Sequence, residues 1–285
     1  MQVATIALAL RDAVYKVGAK LNFESTRSNM RGSAVKERSS EGVAGGVITH
    51  KSDSSSLWWA LVIIGLWIFS FAAALRLPLG ELSLQAVIGV VVLRTFLHTG
   101  LFITAHDAMH RTVFPSNYRI NDWLGTAAVG LYAFLPYREL LIKHQLHHRF
   151  PATGKDPDYH DGEHSGFFRW YLKFMKDYME SRNTPFLIAG MAVVFVVCTW
   201  LMGVPLVNLA LFWLLPLVLS SLQLFYFGTY LPHRQPDGGY RNRHRATSNR
   251  LSSFWSFVSC YHFGYHWEHH EYPLVPWHRL PEARR

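Results

Sequence analysis

Two cysteines are all that this 285-residue chain contains, Cys198 and Cys260. They form neither a paired metal-binding motif nor a disulfide framework, which excludes thiolate ligation and a disulfide-stapled secreted fold. Charge is scarce too: Asp, Glu, Lys and Arg make up 16% of the residues, and acids are the rarer sign, 19 against 28 bases. No glycine-rich nucleotide or flavin fingerprint is present. No basic helix interleaved with exposed aromatics supports nucleic-acid binding, so the net charge of +9 needs another origin. No secretory leader is expected, because the first strong apolar run begins only at Leu57 and is long enough to span a membrane. The acid-poor, Ser-rich start leaves an organelle transit sequence as another reading of the N-terminal segment.

What is abundant is apolar: 50% of residues are hydrophobic and 15% aromatic. These residues are segregated, for no charge interrupts Leu57 to Leu75, Phe186 to Gly203 or Val204 to Pro232. Each run is near the roughly 20 residues that cross a hydrocarbon core. The expected fold is therefore an all-α integral membrane protein with four transmembrane helices at 57–76, 82–105, 185–203 and 205–231. They pair as two hairpins through tight turns at 76–80 and 203–205. The apolar stretch 123–136 is too short to cross and is expected to lie as an interfacial or re-entrant helix. Residues 1–56 are expected to be a flexible or amphipathic segment, 57–281 the membrane domain, and 282–285 a tail. Eight Lys and Arg precede Leu57, ten lie in 106–184 and eight follow Leu231, whereas the two opposite turns hold only Arg76. The positive-inside rule then places the 106–184 face and both termini in the cytoplasm. The net charge is mostly this topological signal, with some attraction to anionic lipid headgroups.

The same face gathers histidine. His266, His269 and His270 stand at i, i+3 and i+4, and His144, His147 and His148 repeat that spacing; His106 and His110 form an i, i+4 pair. On a helix such positions share one face, so the imidazoles can converge on a metal. A helix over 82–110 would rise about 43 Å, more than the hydrocarbon core, which carries His106 and His110 beyond the lipid. His233 reaches the same layer at the end of the fourth span. Beside Pro232 it reads as a surface or capping residue as readily as a ligand. Imidazole suits zinc, copper, iron or nickel, but eight or nine neutral ligands exceed what tetrahedral zinc uses and fit two metals of higher coordination, which favours iron. His262, one turn before His266 if the helix is continuous, is a ligand, a donor behind the ligands or a packing residue. His98 within the second span is expected to line a pathway, and His50, His160, His164, His244 and His278 to be solvated. Asp107, Glu268 and the pair Asp156 and Asp158 are placed to accept the second N–H of ligand imidazoles, although Asp-Pro also makes plain turns. Arg94, a charge within a span, is a functional candidate, with snorkelling or pairing to Glu81 as other readings.

Longer strings add specificity. Thr99 to His110, Asp156-Pro157-Asp158-Tyr159, Phe225 to His233 and Cys260 to His270 resemble the bacterial and cyanobacterial β-carotene ketolases of the membrane fatty acid desaturase and hydroxylase superfamily. The likeness covers about 57–281. It implies a non-heme di-iron oxygenase with dioxygen as co-substrate, and it assigns ligand roles to His106, His110, His144, His147, His148, His266, His269 and His270. The superfamily's histidine after the last span matches His233. The chain departs from the ketolase pattern at Arg111, Gln145 and His278. The implied reaction oxidises the ring methylene next to the ring double bond of a β-ionone ring by two hydroxylations at one carbon, giving a 4-keto carotenoid. The substrate would enter sideways from the bilayer past Phe225, Tyr226, Phe227 and Tyr230, and a ferredoxin-type donor would supply electrons at the basic face. A carotenoid 3-hydroxylase or acyl desaturase with the same centre is the nearest alternative. A histidine-rich metal transporter is the alternative from another class.

Overall fold

The computed structural model describes residues 54–180 and 183–284. All of 1–53, including His50 and most of the N-terminal segment, therefore lies outside the described residues. Ten helices carry the architecture, and no strand occurs among the described residues. Four are long and apolar enough to cross a membrane: α1 (Ser54–Ala74), α2 (Leu84–Met109), α6 (Thr184–Leu201) and α7 (Leu206–His233). The shorter ones are α3 (Tyr118–Ala133), α4 (Tyr137–Arg149), α5 (Phe167–Met179), α8 (Ser253–Cys260), α9 (His266–Glu271) and α10 (Leu280–Ala283).

The central helix is α2, which packs against α1, α3 and α7. Its N-terminus is set by Ser83, whose Oγ accepts the Ala86 N–H at 3.2 Å, and its C-terminal half is buried almost continuously from Leu97 to Met109. The outer spans behave differently. In α1 only Ala60, Ile63, Trp67 and Ala74 face inward with Ser56, while Leu61, Leu66, Ile68 and Phe69 point out. An apolar helix with one buried stripe and an apolar outer surface is suited to lipid on its far side. In α3, capped by Asn117 accepting from the Arg119 and Ile120 N–H groups, Leu124, Ala128, Val129 and Tyr132 are buried and Tyr118 and Trp123 are exposed.

Arg94 is neither snorkelling nor paired with Glu81. It is fully buried among α1, α2 and α7, donating from Nε to the Phe212 carbonyl (3.1 Å) and from Nη1 to the Trp67 carbonyl and Ser70 Oγ (both 2.9 Å). Phe212 lies four residues before Pro216, whose nitrogen has no proton to give, so α7 frees a carbonyl that Arg94 satisfies. The guanidinium also lies over the Trp67 and Phe71 rings, at 4.8 and 5.1 Å. His98 likewise joins helices: it accepts from Trp67 Nε1 at Nδ1 (3.0 Å) and meets the Tyr132 carbonyl with Nε2 (2.9 Å). Arg94→Met should lower stability by about 1–3 kcal/mol, because the Phe212 and Trp67 carbonyls and Ser70 lose the buried guanidinium's hydrogen bonds. Thermal unfolding in detergent would register this as a lower Tm; an unchanged Tm would remove the guanidinium from the fold's support.

Candidate metal centre

Four segments build one histidine layer. The last turn of α2 presents His106, and His110 caps that helix. From α4 come His144, His147 and His148, and from α9 His266, His269 and His270. His233 ends α7 just after a π-helical turn over Tyr226–Tyr230. Such a turn holds an extra residue and so rotates the remainder of the helix about its axis. Gly228 in that turn lets Phe263 close on the helix, since a Cβ there would fall 2.0 Å from Phe263 Cε1. Phe263 in turn packs against His106 and His266, with centroids 4.9 and 5.4 Å apart.

The imidazoles sort into two groups of four. His106, His110, His144 and His269 bring one nitrogen each within 4.8 Å of one another, and His147, His233, His266 and His270 do the same. His148 lies between the groups: its Nε2 is 2.9 Å from His269 Nε2, and its ring stacks on His270 at 4.1 Å. Nitrogens face each other across both groups, His110 Nε2 to His144 Nε2 at 2.6 Å and His270 Nε2 to His147 Nε2 and His266 Nε2 at 3.2 and 3.1 Å. The buried Nε2 atoms of His106 and His233 have no hydrogen-bond partner. Lone pairs converging without enough donors are the signature of a cation site, and these donor sets suit metals that favour imidazole.

Burial, reinforced by neighbouring imidazoles, holds His144, His148, His266, His269 and His270 well below the usual histidine range and His110 down at about 3. His147 goes the other way. Burial would lower it, but the Asp156 carboxylate outweighs burial, with both oxygens 3.0 Å from Nδ1. Asp156 is itself fixed by the N–H groups of Ala152 (2.8 Å) and Asp158 (2.9 Å). This makes Nδ1–H the donor and turns His147 Nε2 to the second group. His233 is oriented similarly, Nδ1 meeting the Arg245 carbonyl at 3.0 Å.

Other sequence expectations need correction. Residues 261–270 are not one helix: Tyr261 and His262 adopt left-handed backbone at φ 49 and 61, and α9 starts afresh at His266. His262 consequently leaves the ligand face and stacks on Tyr265 and Trp277, 5.5 and 6.3 Å away. Asp107 accepts the Trp277 N–H at Oδ2 (3.0 Å), and its other oxygen stays 3.6 Å from His106 Nδ1, too far for a hydrogen bond. Glu268 receives the Ser248 hydroxyl rather than an imidazole. Asp158 accepts the Tyr178 hydroxyl (2.8 Å) and lies 3.8 Å from His147 Nδ1; burial raises it to about 6. Nor are the remaining histidines simply solvated. His244 bonds Glu271 (2.8 Å) with its ring 5.6 Å from His270, His160 lies on Tyr159 and Trp170, His164 bonds Asp161, and His278 bonds Ser55.

An apolar cavity of about 250 Å³ reaches this layer at His106, His144, His147 and His266. Its walls are Phe102, Tyr132, Leu135 and Leu140, the inner face of α5 (Tyr171, Phe174, Met175, Tyr178), and Leu187, Met191, Leu217 and Leu224 from α6 and α7. None of the residues expected to form a substrate path lines it. Phe225 is one layer behind, against Tyr171 and Phe174; Tyr226 and Tyr230 pack on Phe167; Phe227 lines a separate cleft; Arg94 and His98 hold helices together. The α5 lining does have a signal in the sequence, aromatic residues at 171, 174 and 178 on one helical face.

The fatty acid desaturase family model matches residues 82–285, which contain every histidine of both groups. The chain belongs to the fatty acid desaturase family. Among curated relatives of this desaturase-family chain is a β-carotene 4-ketolase of Haematococcus lacustris, 39% identical over 82% of this chain and 80% of its own length. A β-carotene ketolase from a Paracoccus species is 40% identical, covering 85% of this chain and 90% of its own. A zeaxanthin 4-ketolase of Chlamydomonas reinhardtii is 38% identical over 81% of this chain and 51% of its own. No solved structure matches the chain significantly.

Two outcomes are expected. The imidazoles held below their usual range take up protons in the unfolded chain near pH 6.5 but not in the fold, so the metal-free protein should lose stability as pH falls through 6.5. His147, raised by Asp156, adds stability as pH falls from its raised value to 6.5 and stays constant below, so it does not cancel the loss from the other rings. Melting curves from pH 7.5 to 5 test it, and a flat Tm would contradict it. Gly228→Ala should force Phe263 off the α7 turn and cost about 1–3 kcal/mol by overpacking, visible in the same melts.

Proposed function

We propose that this chain is a membrane di-iron oxygenase that introduces a 4-keto group into the β-ionone ring of β-carotene or a related carotenoid. The observation that carries the reading is the pair of four-histidine groups at the end of an apolar cavity, in a chain about 40% identical to β-carotene ketolases. The four spans lie as two hairpins with α3 at the interface, and the histidine layer and both termini face the cytoplasm. The basic-residue distribution supports that orientation.

The first group, with His148 beside it, holds one iron, and the second holds the other. When bound they supply the oxidant that an unactivated C–H bond requires, using dioxygen and external electrons. The protein does the rest. Apart from Asp158 and the histidine layer its cavity is apolar, so apolar walls and shape orient the ring. The methylene must come to the end lined by His106, His144, His147 and His266. Asp156 keeps the proton of His147 on Nδ1, which preserves Nε2 as a donor atom toward the metal. Buried Leu, Phe and Met side chains exclude water from the reacting carbon. Two hydroxylations at that carbon give a geminal diol, which loses water to the ketone.

Expression in carotene-producing cells tests the product directly. A 4-ketone is expected; a 3-hydroxyl product or altered acyl chains would point instead to the hydroxylase or desaturase reading. His269→Ala should abolish turnover and lower bound iron measured by elemental analysis. Full activity in that variant, or wild-type protein that binds no iron, would overturn the di-iron oxygenase reading. Asp156→Asn should weaken metal affinity roughly 10–100-fold through loss of the carboxylate behind His147. Leu217→Trp should keep iron but block product formation by filling the cavity. Normal turnover in that variant would mean the substrate binds elsewhere.

A further inference from the structure

The segment joining α7 to α8 contains Arg234, Arg241, Arg243, Arg245 and Arg250 but only one acid, Asp237. All five arginines are exposed. Arg243 is paired with Glu271 (2.9 Å), whereas Arg245 lies over Tyr240 and donates to the Ala152 carbonyl. Among the described residues no carboxylate forms an ion pair with Arg234, Arg241 or Arg250. Arg234 and Arg250 both line a cleft of about 630 Å³, together with Pro236, Asp237 and Asn249.

This loop also touches the second histidine group. The Arg245 carbonyl is hydrogen-bonded to His233 Nδ1 at 3.0 Å, with Arg245 held at φ 46. The neighbouring His244 ring is 5.6 Å from His270. A basic, exposed strip is thus one residue layer from two imidazoles of that group. Resting on the oxygenase reading above, we propose that the loop 234–250 is the docking surface for an acidic one-electron carrier protein, with electrons entering beside His233 and His244.

The chemistry requires such a partner. Each hydroxylation consumes one dioxygen, two electrons and two protons; one oxygen atom enters the C–H bond and the other leaves as water. The carrier is oxidised by one electron at each of two dockings. Charge complementarity favours an acidic protein over a neutral one and speeds encounter at low salt. Anionic lipid headgroups would meet the same charges, but the loop's tie to the histidine layer through His233 and His244 favours a redox partner.

The test uses the full chain in nanodiscs of zwitterionic lipid and oxidised plant-type [2Fe–2S] ferredoxin as probe. Calorimetry should show that Arg234→Glu/Arg241→Glu/Arg250→Glu weakens binding at least roughly tenfold at low ionic strength, with wild-type affinity falling as salt rises. With reduced ferredoxin, KM for the carrier should rise while the rate supported by dithionite and methyl viologen is unchanged. Arg119→Glu, an exposed charge on α3, should alter none of these. Equal binding by wild type and the triple variant, or equal weakening by Arg119→Glu, would overturn the docking site. A triple variant altered only in its response to added anionic lipid would make the strip a lipid contact and overturn it as well. No turnover with viologen in wild type would instead refute the oxygenase reading, while the binding comparison still decides the docking.

Discussion

Nine imidazoles crowded into a buried layer with too few proton donors are the constraint on which the rest of the molecule depends. Each buried nitrogen without a partner costs about 1–3 kcal/mol, and protonating the rings would add like charges to a dry site. A cation bound by the lone pairs removes both problems at once. The surrounding structure therefore acts mainly to bring unprotonated nitrogens together and hold them against relaxation. Asp156 and the Arg245 carbonyl do this by fixing the far nitrogens of His147 and His233. Phe263, seated against Gly228, does it by packing.

The membrane-embedded parts answer a different demand. Pro216 interrupts the backbone bonding of α7, and inside lipid that defect has no water to repair it. Arg94 repairs it from a neighbouring helix, which places a full charge among apolar side chains for a structural purpose. His98 works in the same way between Trp67 and Tyr132. A polar residue in a span is often read as belonging to a transport route, and here two such residues hold helices in place.

Much is legible from residues alone because the physical signals are periodic or long. Spans announce themselves by some 20 uncharged positions, and α1, α2, α6 and α7 lie within a few residues of where those positions put them. The i, i+3, i+4 spacing likewise makes the facing histidines of α4 and α9 readable. Less legible are features set by distant packing. Nothing local marks the left-handed turn at Tyr261 and His262, which lacks glycine at either position, so helical spacing misplaces His262 along with the helix start. Proximity in the sequence to the histidines suggests Asp107 as an acceptor behind the ligand imidazoles, although its actual partner Trp277 is 170 residues away. The cavity walls come from α2 through α7 with His266 of α9, and only their assembly shows that Phe225 lies behind the lining rather than in it.

Both histidine groups draw on α4 and α9, and they differ in whether α2 or α7 completes them. In chain order α9 is the last contributor, and it supplies His269 to one group and His266 and His270 to the other. Neither group can be finished while the ribosome is still making α7. The spans can therefore enter the bilayer before any complete high-affinity site exists. A metal that needs all four imidazoles of either group would have to arrive after α9 is made, because α9 completes both.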